Sequence, residues 1–204
     1  MNKKFLSFSI CLLAATVWSC NNSSESTANS DSTTTASSAD TSGNMATNNG
    51  STSTTTNNTP LNKEDSAFVM EAAQGGMMEV QAGKVAQQNA QNQRVKDFGG
   101  MMVTDHSKAN DELKSLVSGR GINLPDSMPA SKKKEVDALN KMQGSAFDKH
   151  YVSMMVEDHQ KDVAKFKKES TTANDPQLKT WVTNTLPVLQ KHLDSIQAIK
   201  KGMK

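Results

Sequence analysis

The chain has 204 residues, 35% of them hydrophobic and only 4% aromatic, with a formal net charge of +2. Setting aside Lys3 and Lys4 leaves 21 basic against 21 acidic side chains, a balance with no electrostatic footprint for nucleic acid. Both cysteines, Cys11 and Cys20, fall in the first 20 residues, so no disulfide can brace the rest of the chain.

Residues 1–19 read as a lipoprotein signal peptide. Lys3 and Lys4 form a basic start, and the apolar run 5–17 is too short to span a bilayer as a helix. The run closes on Val17-Trp18-Ser19-Cys20, which resembles a bacterial lipobox, although Trp18 is unusual at its position. On that reading Cys20 becomes the lipid-bearing first residue and joins the chain to a membrane. An ordinary signal peptide cut near Ser19 is the alternative. Residues 20–60 are expected to be a disordered tether: 29 of positions 21–60 are Ser, Thr or Asn, too few apolar groups to offset chain entropy. As a flexible coil it would span roughly 35 Å.

Residues 61–204 have the size of one domain. Apolar positions three and four apart predict four long helices. The first is capped by Asp65 or Ser66 and runs to about Asn92, with Phe68, Ala72, Gly76, Glu79, Gly83 and Ala86 facing inward. Its small residues allow a neighbour to approach closely, although Gly75-Gly76 is also the pattern of a helix break. The second covers about 93–118, with Val95, Phe98, Met102, His106 and Leu113 inside and Gly119 and Gly121 as its stop. A connector containing a short helix at about 131–142 leads to the third, at about 145–169, carrying Phe147, Tyr151, Met155, His159 and Phe166 inward. Asp175-Pro176 opens the fourth, whose stripe includes Leu178, Val182, Leu189, His192 and Ile196, and Pro187 is expected to bend it.

One phrase occurs twice, 53 positions apart. Met101-Met102-Val103-Thr104-Asp105-His106 returns as Met154-Met155-Val156-Glu157-Asp158-His159, and each copy carries a histidine inward. Every long helix therefore places one ionisable residue on its apolar stripe: Glu79, His106, His159 or His192. At 1.5 Å per residue their heights agree within roughly 10 Å along an up-down bundle. Three imidazoles and a carboxylate suit one zinc, iron or manganese ion. A metal-free network of hydrogen bonds among the same groups is the competing reading. The Met pairs raise copper, which ranks behind the others because methionines at helical spacing usually fill core. His150, nine residues from His159, should face solvent. Asp105 and Asp158, each next to an inward histidine, are either acceptors that orient the imidazoles or exposed residues, and the exposed reading is favoured because adjacent helix residues diverge by about 100°.

Taken together, Gly76-Met77-Met78-Glu79-Val80, Val95-Lys96-Asp97-Phe98, Met102 to His106, Phe147 to Val152, and Leu186-Pro187 followed by His192-Leu193 resemble an uncharacterised bacterial family, domain of unknown function 4142, over about 65–200. The resemblance implies an all-α, ferritin-like four-helix bundle, exported and often lipid-anchored in the cell envelope, in the outer membrane if the cell is Gram-negative. It implies no activity. Ferritin-like di-iron proteins use Glu-x-x-His, but Val103, Val156 and Leu189 stand three residues before the histidines here, so that ligand set is absent. No catalytic motif is present. The expected function is an envelope-anchored, non-enzymatic bundle with an ion on Glu79, His106, His159 and His192. A metal-dependent redox or hydrolytic enzyme and a metal-free module binding another envelope protein are the alternatives.

Overall fold

The computed structural model describes residues 58–203. The expected signal peptide, Cys20 and nearly all of the tether lie outside the described residues. Five helices make up the rest, with no strand among the described residues: α1 (Lys63–Asn89), α2 (Gln93–Val117), α3 (Ala130–Leu139), α4 (Gly144–Thr172) and α5 (Pro176–Gly202). None is long and apolar enough to cross a membrane.

The helix starts follow side-chain chemistry. Asn62, not Asp65 or Ser66, caps α1, its Oδ1 accepting from the Asp65 amide at 2.7 Å. Asn92 caps α2 through the Arg94 amide, and Asp175 caps α5 through the Leu178 amide with Pro176 in the first turn. Gly119 and Gly121, both at positive φ, take the chain out of α2. Gly75-Gly76 does not break α1, and α5 continues as helix past Pro187.

Two helical hairpins, α1–α2 and α4–α5, build the bundle. Within α1–α2 the backbones cross very closely. A Cβ on Gly83 would lie 2.6 Å from the Gly99 carbonyl oxygen, and one on Gly99 would lie 2.7 Å from that of Gly83. Glycine at both positions is therefore what brings α1 and α2 together.

Each hairpin's turn is held by a buried aspartate from the other hairpin. Asp148, in the first turn of α4, accepts from the Gln91 and Asn92 amides at 3.1 and 2.9 Å. Asp65, in the first turn of α1, accepts from the Asn174 and Asp175 amides at 3.3 and 2.9 Å. Every residue in the second set is related to its counterpart by 83 positions, so the fold contains an internal two-fold repeat of hairpins at that offset. The phrase repeated at 53 positions instead falls on α2 and α4, which are not equivalent elements.

The buried aspartates also set direction: α4 begins where α1 ends, and α1 begins where α4 ends. The up-down order therefore holds within each hairpin, while the 118–143 connection, which includes α3, returns along the bundle and makes α4 parallel to α2. Val136 and Leu139 of α3 join the core at one end, with Phe98, Phe147, Met155 and Ile196. A second apolar cluster, with Val69, Leu113, Phe166, Leu178 and Leu189, fills the other end. Polar side chains occupy the level between them.

Candidate metal centre

At that middle level the four residues singled out on the helical stripes come together. Glu79, His159 and His192 are at most 2% exposed and His106 is 6% exposed, so almost no water is available to satisfy them. The imidazole centroids lie 5.3 to 5.8 Å apart, and one ring nitrogen from each histidine falls within 4.8 Å of the other two. Phe98, from α2, packs against this cluster, with centroids 6.0 Å from His159 and 6.4 Å from His192.

Each ring has one nitrogen held and the other without a partner. His159 Nδ1 donates to the Met155 carbonyl at 3.0 Å, an acceptor that can only take a proton, so His159 Nε2 carries the lone pair. His192 Nε2 lies 2.8 Å from Asp105 Oδ2 and donates to it, which leaves the lone pair on Nδ1. His106 Nδ1 sits 3.0 Å from Glu79 Oε2, and its Nε2 is the nitrogen left without a partner. His106 Nε2, His159 Nε2 and His192 Nδ1 are all buried with no hydrogen-bond partner. Three neutral imidazoles, oriented by acceptors on their far sides and presenting lone pairs to one another, form the usual surroundings of a metal-binding histidine.

Charge reinforces the arrangement. Burial pushes all three imidazoles down from 6.5 to about 4, keeping them neutral and able to coordinate. Burial also pushes the Glu79 carboxyl up, against a lowering pull from His159. Asp162 is raised for the same reason, with a further push from Glu79. Glu79 Oε1 has no hydrogen-bond partner; it lies 3.6 Å from His159 Nδ1, which is already bonded to Met155.

The structure corrects two expectations and adds two residues. Asp105 is not simply exposed: it lies on α2 next to His106 but reaches across to α5, where it orients His192. Two helices crossing at this level bring Asp105 to a partner 87 positions away, which divergence within one helix does not reveal. Asp158 is half-buried, and its Oδ2 is enclosed with no partner. His150 is exposed, as expected. Sequence reasoning missed Asp162, although its place one turn beyond Asp158 on α4 was a signal. It also gave no role to the Tyr151 hydroxyl, which is buried without a partner and raised by burial and by Glu79.

The described residues thus define a helical bundle whose buried centre brings together three histidines of the kind that ligate metals. Residues 50–199 match the family described as Domain of unknown function (DUF4142), and the chain belongs to that family. No curated protein matches it. Among solved structures, "CopM in the Cu(I)-bound form" has a similar fold, with a TM-score of 0.56 and 16% identity over 68% of this chain and 96% of that chain.

Proposed function

We propose that the chain holds one transition-metal ion on His106, His159 and His192, inside a ferritin-like bundle tethered to the bacterial envelope by lipid on Cys20. What carries this reading is the set of three buried lone pairs, each left by a ring whose other nitrogen is already held. A metal-free network would be expected to pair these nitrogens with donors, because leaving a buried polar group unpaired costs about 1–3 kcal/mol.

Bonds of about 2.0–2.1 Å from nitrogen to zinc put tetrahedral ligand atoms about 3.4 Å apart, so nitrogens within 4.8 Å need only a modest contraction. Glu79, expected as a fourth ligand, sits against His106 Nδ1, and its oxygens fall outside the set of ligand atoms that lie within 4.8 Å of one another. The positive charge of the ion is balanced by Glu79, by Asp105 behind His192, and by Asp158 and Asp162 nearby. Imidazole ligands without thiolate suit zinc, copper or iron better than manganese. Copper is tested alongside zinc because a protein of similar fold was solved with Cu(I). Non-enzymatic retention of the ion is the leading role, since two of the imidazoles are fully enclosed. The full Glu-x-x-His set of di-iron enzymes is absent.

Elemental analysis of protein purified without an affinity tag, together with zinc and Cu(I) titrations, tests the centre. One ion per chain is expected, lost in His106→Ala, His159→Ala and His192→Ala and retained in His150→Ala. If the three substitutions destabilise the protein while added metal changes nothing, the hydrogen-bond network is the correct reading. The anchor is tested separately: Cys20→Ala should abolish acyl mass and membrane partitioning, and unchanged partitioning would remove the lipid from the proposal.

A further inference from the structure

A narrow cavity of about 40 Å³ lies among α1, α2, α4 and α5 and reaches the histidine cluster from one side. Glu79 and His106, both buried, form part of its wall, whereas His159 and His192 do not. Glu71 and Lys165, which line it farther out, are exposed and form an ion pair across α1 and α4. Glu71, Gly75 and Glu79 stand at intervals of four on α1 and so share a stripe of about 12 Å along the helix. Gly75 borders open space in this wall, since a Cβ there would meet nothing within 4 Å. On the opposite wall Asp162, half-buried, sits one turn before Lys165. Carboxylates thus occur at three depths, and the deepest is that of Glu79, which is buried and whose Oε1 has no partner.

We propose that this cavity is the channel through which a divalent cation reaches the three imidazoles, with Asp162 receiving the ion from solvent and Glu79 passing it to His106. The proposal rests on the metal-binding function proposed for the histidine centre. Carboxylate oxygens can replace the ion's water molecules one at a time, so it never crosses the apolar part of the wall without a ligand. Each exchange releases water and changes no oxidation state. His159 and His192, behind the inner end of the channel, complete the site once the ion reaches His106.

The test measures loading and release of Zn²⁺ by stopped flow, with the metal delivered from a chromophoric chelator. Gly75→Leu adds bulk to the channel without touching a ligand. It should slow loading and release at least tenfold while leaving stoichiometry and Kd unchanged. Lys165→Ala, on the surface, removes a positive charge near the outer end. It should speed loading severalfold at low salt and lose that advantage at high salt. If Gly75→Leu folds and loads at the parent rate, the channel is wrong while the site stands. If Gly75→Leu fails to fold, Lys165→Ala decides, and an unchanged low-salt rate overturns the channel. A parent protein that takes up no Zn²⁺ through its histidines overturns both readings.

Discussion

Replacing Asp105 by alanine separates an oriented metal site from a cluster that is merely buried. In the native protein Asp105 Oδ2 accepts from His192 Nε2 at 2.8 Å, which fixes the imidazole proton on the outer nitrogen and the lone pair on Nδ1. In Asp105→Ala the ring can shift its proton to Nδ1, a form that cannot coordinate, and its basicity falls. Removing such an outer partner typically weakens metal affinity 10–100-fold, or about 1.4–2.7 kcal/mol. The apo protein should also lose about 1–3 kcal/mol, because His192 is fully buried and its N–H no longer has an acceptor. With free Zn²⁺ at 100 times the parent Kd, binding stabilises the parent by about 2.7 kcal/mol. A 30-fold weaker variant gains only about 0.9 kcal/mol. At about 2–4 °C per kcal/mol for a domain of this size, the metal-induced rise in Tm should shrink from roughly 5–11 °C to roughly 2–4 °C. Differential scanning fluorimetry with a zinc titration measures this shift, and chelator competition gives Kd directly. A variant whose Kd lies within twofold of the parent value would refute the role assigned to Asp105.

Three further outcomes follow from the same geometry. Gly83→Ala places a methyl against the Gly99 carbonyl, a backbone atom that cannot swing aside, and should cost about 1–3 kcal/mol in chemical denaturation; Gly75→Ala, in open space, should be neutral or stabilise by up to about 1 kcal/mol. Asp65→Ala and Asp148→Ala each remove the acceptor for two turn amides and should each destabilise by about 2–4 kcal/mol; a large loss for only one would refute the equivalence of the hairpins. By nitrogen-15 NMR the three buried imidazoles should stay neutral from pH 8 to about 5 and titrate only near 4. Unfolded imidazoles take protons near pH 6.5, so this part of the stability is complete above pH 6.5 and is lost as pH falls towards 4; titration of these rings near 6.5 would contradict their burial.

Helix positions and inward faces were legible because apolar spacing and capping chemistry act locally. Asn92, Asp175-Pro176 and the Gly119-Gly121 stop placed boundaries within a few residues. Glu79, His106, His159 and His192 could be brought to one level because rise per residue is fixed. What could not be read was anything that depends on which helices are neighbours. Asp105 became an acceptor for His192 only because α2 lies beside α5. Asp65 reads as a cap in sequence but serves the opposite hairpin, while Asn62 takes the cap. The channel depends on a gap beside Gly75, and an absent side chain leaves no periodic signal.

The internal repeat explains why the centre contains three imidazoles although the fold is built from two equivalent hairpins. Shifting by 83 positions pairs Glu79 with Asp162, so the carboxylates follow the symmetry. The histidines do not. His106 corresponds to Leu189, His192 to Ala109, and His159 to Gly76. A histidine at 76 would collide with Asn110, whose Oδ1 already lies 2.5 Å from where a Cβ of Gly76 would be. Leu189 instead belongs to the second apolar cluster, together with Phe166 and Val182. Each imidazole therefore sits opposite a position kept small or apolar, which gives its ring room to point into the shared centre. Six histidines at all the equivalent positions would crowd this level. Three fit, one each from α2, α4 and α5, and α1 contributes the carboxylate that orients the first of them.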